Sequence, residues 1–93
     1  MNSIFGNEKE SYLFPHKKEN LEKHHIYFGN PKRKISENWG CWCYLTADEH
    51  RGPKGVHNNR KLDLLLKKEC QIEFEALYGH DKFMELFGRN YLD

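Results

Sequence analysis

Between Asn59 and Gly79, apolar residues recur at Leu62, Leu66, Cys70, Phe74 and Leu77. A repeat of three to four residues lines them along one side of an α-helix, whereas a strand would alternate. The chain has 93 residues, of which 38% are hydrophobic, so any fold it adopts is built around burying this stripe. Lys67, Lys68, Glu69, Glu73 and Glu75 lie largely off it. Asn58 or Asn59 is placed to cap the helix through a side-chain oxygen, and Gly79 falls where a left-handed residue ends helices. Asp81 is placed to cap a second, short helix over Lys82–Phe87, which Gly88 stops.

The surface that receives the stripe is expected just upstream. Leu21–Phe28 (LEKHHIYF) and Trp39–Leu45 (WGCWCYL) are rich in aromatic residues and read as two strands. Gly29–Lys34 (GNPKRK) is turn chemistry followed by a basic run. The two strands form a β-hairpin with a basic loop of about ten residues at its tip. Gly52, Pro53 and Gly55 mark Ala47–Val56 as loop. Residues 1–20 form a polar, weakly patterned arm, residues 21–78 the hairpin-and-helix core, and residues 80–93 a C-terminal helical extension. The fold class is therefore α+β, in one domain spanning residues 1–93. Trp39, Trp42, Tyr44, Phe74 and Phe87 read as core, with base stacking as the rival role.

Composition excludes several classes. No run of about 18 apolar residues exists, so no membrane-spanning helix is expected. The first residues lack a basic segment followed by an apolar one, which argues against a secretory signal. Cys41, Cys43 and Cys70 are an odd set, and the first two are too close to bridge. Free thiols in a reducing cytosol are the simpler reading. The net charge of +1 hides an asymmetry. From His16 to Lys61 there are ten Lys/Arg against five Asp/Glu, a balance of +5, and from Leu62 to Asp93 four against seven, a balance of −3. The basic half also holds five of the six histidines. Basic surface beside imidazoles suits a phosphate backbone, although a merely solvated charged face fits the same counts.

Four of those histidines, His24, His25, His50 and His57, fall within 34 residues. Neutral imidazoles bind transition metals, and a free imidazole near its ordinary pKa accepts a proton at neutral pH. Consecutive strand residues point to opposite faces, so His24 and His25 suit two jobs, one toward a metal and one toward an attacking water. His50 and His57 are not at helical i, i+4 spacing, and a folded-back loop is needed to bring them to one ion. Spacing alone leaves a metal site and unconnected surface histidines both open.

The residues that carry a resemblance are His24-His25-Ile26-Tyr27-Phe28-Gly29, Arg33-Lys34-Ile35-Ser36-Glu37, His50 with Gly55-Val56-His57-Asn58, Leu62-Asp63-Leu64 and Gln71-Ile72-Glu73-Phe74-Glu75. Together they resemble the HNH (His-Me finger, ββα-metal) endonucleases, and more closely small phage proteins related to the phage recombination-enhancement nuclease. Phe83–Leu92 (FMELFGRNYL) is similar to that group's C-terminal signature. The resemblance implies a metal-dependent DNA endonuclease working in the cytoplasm of a bacterial host, with DNA and a phage or host recombination protein as partners. It implies that His24, His50 and His57 hold one divalent ion (Mg²⁺, Mn²⁺, Ni²⁺ or Zn²⁺), that His25 is the general base and that Asn38 orients it. Lys32, Arg33, Lys34, Ser36, Arg51 and Lys54 are implied to bind phosphate. Relatives carry thiolate pairs resembling a structural zinc site. Here the corresponding stretches read Glu10–Pro15 and Leu45–His50 without cysteine, so a structural zinc is not expected.

Overall fold

The computed structural model describes residues 2–93. Strand β1 (Leu21–His25) pairs antiparallel with β2 (Trp42–Thr46), with Leu21 opposite Thr46 and His25 opposite Trp42. Side chains directly opposite one another share a face. Glu22, His24, Cys43 and Leu45 therefore occupy one face, and Lys23, His25, Trp42 and Tyr44 the other. Both strands are shorter than their apolar segments suggested.

The basic run is not a hairpin loop. It forms α1 (Lys32–Trp39), an eight-residue helix entered after Pro31 and closed by Gly40 in the left-handed conformation. A Cβ at Gly40 would collide with the carbonyl of Asn2. Ser36 is fully buried on α1 and locks the helix to the end of β1. Its hydroxyl donates to the Tyr27 carbonyl at 2.7 Å and accepts from the Tyr27 N–H at 3.2 Å.

The stretch after β2 is also partly helical. In α2 (Ala47–Arg51) the Thr46 hydroxyl accepts from the Glu49 N–H at 3.2 Å, while the Glu49 carboxylate accepts from the Thr46 N–H at 2.8 Å. This reciprocal cap satisfies two otherwise orphaned amides. Glu49 is buried, and the Ser11 hydroxyl donates to it at 2.6 Å. A single 3₁₀ turn, Val56–Asn58, leads into α3 (Arg60–Tyr78), which Asn59 caps through the Leu62 N–H at 3.1 Å. Chain reversal at Gly79 starts α4 (His80–Phe87). Asp81 lies in the first turn of α4 and does not cap it.

Leu66, Cys70 and Phe74 are fully buried, and all three cysteines are buried free thiols. Leu77, by contrast, is 64% exposed. Periodicity fixes the angle at which a side chain leaves the helix, not whether a neighbour covers it. Past Phe74 the covering partner is α4, whose Phe83 lies 5.6 Å from the Phe74 ring, and Leu77 stays outside. Tyr27 bridges the layers, with ring centroids 4.3 Å from Phe87 and 5.3 Å from Tyr91, and its hydroxyl donates to the Lys67 carbonyl at 2.7 Å.

The N-terminal arm is ordered structure with a task. The Tyr12 N–H donates to the Tyr44 carbonyl at 2.9 Å and the Ile4 N–H to the Gly40 carbonyl at 2.8 Å, which covers the open edge of β2. Unpaired strand edges otherwise invite aggregation. The Tyr12 hydroxyl also donates to Glu69 on α3 at 2.8 Å.

Candidate metal centre

Three elements meet where β1 faces α2 and the 3₁₀ turn. They bring His24, His50 and His57 together, with one ligand-competent atom of each lying within 4.8 Å of the others. The ring centroids of His24 lie 5.0 Å from His50 and 5.2 Å from His57. His24 is buried, His50 half-buried and His57 exposed, so the cluster opens to solvent on one side.

Burial lowers the pKa of two of the three imidazoles, His24 and His57, and a carboxylate orients the third, His50. Burial, reinforced by His50 and His57, pushes the His24 pKa down to about 3. That ring is neutral across the neutral range, which is the form that binds metal. Its Nε2 is buried and has no hydrogen-bond partner among the described residues. A buried polar atom without a partner is costly, and a cation at the centre of the cluster would satisfy it. His50 is oriented from behind. Its Nδ1 lies 2.8 Å from Glu22 Oε1. A carboxylate only accepts, so Nδ1 carries the proton and Nε2 presents its lone pair inward. Carboxylate–histidine pairs of this kind fix metal-ligand tautomers.

Glu22 is itself held by Arg51, whose Nε donates at 2.9 Å and whose terminal nitrogen makes a second contact. The two partners, Arg51 first and His50 next, hold the Glu22 carboxyl below the usual range. His57 Nε2 lies 2.9 Å from His50 Nε2. That spacing suits a ring-to-ring hydrogen bond or two lone pairs turned to one cation. Burial, with His50 nearby, lowers the His57 pKa as well. Phe28 walls the site, its ring centroid 5.2 Å from that of His57, and Lys67 Nζ lies 4.3 Å from the Phe28 ring centroid. Three imidazoles with an open side are the pattern of catalytic rather than structural zinc sites.

His25 lies on the opposite strand face, as alternation requires. Its Nε2 is 2.7 Å from Glu37 Oε1. The carboxylate fixes the proton on Nε2, leaving Nδ1 as the acceptor nitrogen, and the bond to His25 holds Glu37 below the usual carboxyl range. Lys23 Nζ adds a salt bridge to Glu37 at 3.3 Å.

The residue that orients His25 is therefore Glu37. Asn38, the expected orienter, is exposed on α1 and makes no side-chain hydrogen bond among the described residues. The helix turns Glu37 toward β1 and the next residue away from it. Ser36 cannot touch phosphate, because it is fully buried and committed to Tyr27. Arg51 is spent on Glu22. Arg33, Lys34 and Lys54 are exposed and Lys32 is half-buried. Glu22 was not anticipated from sequence, although its position two residues before His24 already put it on the His24 face.

No family model matches the chain, and neither does any curated protein or solved structure. Among the described residues, no helix is long and apolar enough to cross a membrane.

Proposed function

We propose that this chain is an HNH-type (His-Me finger, ββα-metal) DNA endonuclease of phage origin, acting in recombination or DNA processing. The observation that carries the reading is the convergence of His24, His50 and His57, with a partnerless buried Nε2 on His24 and a carboxylate-fixed tautomer on His50. Three imidazoles fit one divalent ion of the Zn²⁺ or Ni²⁺ kind better than Mg²⁺ or Mn²⁺, which prefer oxygen ligands. When bound, such an ion supplies Lewis-acid stabilisation of charge on the phosphate and the departing 3′ oxygen.

The chain's own residues do the rest. His25 accepts a proton from water at Nδ1, and Glu37 holds the ring in place and stabilises the imidazolium that forms. Arg33, Lys34 and Lys54 supply exposed positive charge for the DNA backbone, with Lys32 beside them. Such contacts position a duplex but carry no sequence information. The same fold used as a non-cleaving DNA-docking module is the second reading.

A plasmid-nicking assay with Mg²⁺, Mn²⁺, Ni²⁺ and Zn²⁺ in turn, run beside His25→Ala, tests the proposal. Metal-dependent nicking that disappears in the variant while DNA binding persists is the expected result. Equal cutting by both proteins would remove His25 from its role. Salt-dependent DNA binding without cutting under any of the metals would favour the docking module.

A further inference from the structure

We infer that the outward face of α3 pairs two copies of this chain, helix against antiparallel helix. The inward side of α3 buries Leu66, Cys70 and Phe74. The outward side also carries two large apolar residues, Leu65 at 49% and Ile72 at 56% exposure. They stand two helical turns apart and so share one line along the helix. Lys61, Lys68 and Ala76 fall on the same face, at spacings of three and four residues from them, and all three are exposed.

The charges choose the occupant. Lys67 and Asp63 pair within the helix and cancel. Of the rest, Arg60, Lys61 and Lys68 lie in the N-terminal half, and Glu69, Glu73 and Glu75 in the C-terminal half. The last turn holds no basic residue. This polarity runs against the helix dipole, which favours anions at the N-terminus and cations at the C-terminus. It does not serve the helix standing alone. An antiparallel copy supplies what is missing, because its acidic half and negative dipole end lie along the basic half, and symmetry makes the same contact twice. A two-fold contact is self-complementary and closes at two copies. A nucleic acid or an anionic lipid surface needs a uniformly basic face and would meet the three glutamates here.

Setting Leu65 of one copy beside Ile72 of the other fixes the register. Lys61 then comes level with Glu75 of the other copy on the same flank, a favourable contact. Lys68 falls beside the two-fold axis and meets its own counterpart, an unfavourable one. That pair of opposite effects is a signature that nonspecific stickiness lacks. The patch is small beside the roughly 20–30 residues a side of a standard interface, so the dimer is weak, with a Kd on the order of 100 µM. The histidine cluster precedes α3 and takes no part, so the pairing does not rest on the nuclease reading.

The test is sedimentation equilibrium of the full chain from about 10 µM to about 1 mM, a range that brackets the expected Kd. A reversible monomer–dimer equilibrium is expected. The double variant Leu65→Gln with Ile72→Gln should remain a monomer throughout, with unchanged circular dichroism and Zn²⁺ affinity showing that the fold is intact. Lys61→Glu should weaken the dimer by roughly threefold or more, the scale of two exposed ion pairs. Lys68→Ala should tighten it. A wild type that stays monomeric at the highest concentration would overturn the proposal, and so would a dimer that survives the double glutamine variant. Lys61→Glu without effect, or Lys68→Ala weakening the dimer, would overturn the antiparallel pairing.

Discussion

Replacing Glu22 with glutamine keeps the side chain's size and removes its charge. Glu22 Oε1 accepts the His50 Nδ1 proton at 2.8 Å, and this bond leaves His50 Nε2 free to face His24 and His57. A glutamine can present its amide N–H instead, which moves the imidazole proton to Nε2, the atom needed for metal. Partners of this kind are typically worth 10–100-fold in metal affinity, or about 1.4–2.7 kcal/mol at ~1.4 kcal/mol per decade. Arg51→Ala should lose less, because it leaves the Glu22–His50 bond in place. Calorimetric titration with Zn²⁺ at fixed pH reads the effect, with circular dichroism as the folding control. An affinity for Glu22→Gln within about twofold of wild type would refute the tautomer reasoning.

Glu37→Gln should slow nicking clearly while Asn38→Ala should not, and His25→Ala should cost roughly 10²–10⁴-fold, the usual scale of general acid–base catalysis; equal effects at positions 37 and 38 would contradict the assignment. Phe74→Ala should destabilise the fold by about 3–5 kcal/mol in urea titrations, because Phe74 is fully buried against Phe83 and Trp39. A third check uses pH. Glu75 raises the His80 pKa, so its contribution is full below the unfolded value of 6.5 and fades as pH rises through the folded value. Glu75 is lowered, with bonds from Gln71 and His80 holding its charged form, so its contribution is present above 4.5 and fades as pH falls. The stability gap between wild type and His80→Gln should therefore be widest between those two values, and a gap that stays constant into alkaline pH would contradict the pairing.

The long helix was legible because its stripe repeats over several turns and is bounded by Asn59 and Gly79. The four histidines were legible by residue type, but their convergence was not. It depends on α2, whose start signal is Thr46 with Glu49 three residues later. The glycines and proline that follow drew the whole stretch toward a loop reading, although a capping box was present. The helix α1 was hidden differently. Its first turn is wholly basic, against the helix dipole, and tertiary burial of Ser36, with Ile35 and Trp39 partly buried, overrides that cost. Choosing Glu37 over Asn38 needs the helix phase relative to β1, which no local pattern encodes. The arm was unreadable because its bonds to Gly40, Trp42 and Tyr44 span about 30 to 40 residues of sequence.

X-ray absorption at the metal edge of the Zn²⁺-loaded protein tests the central claim most directly. Three imidazole nitrogens at about 2.0–2.1 Å plus a light-atom ligand are predicted, with the imidazole signal reduced in His24→Ala. Sulfur scattering at about 2.3 Å, or an unchanged spectrum in His24→Ala, would contradict a centre built from His24, His50 and His57.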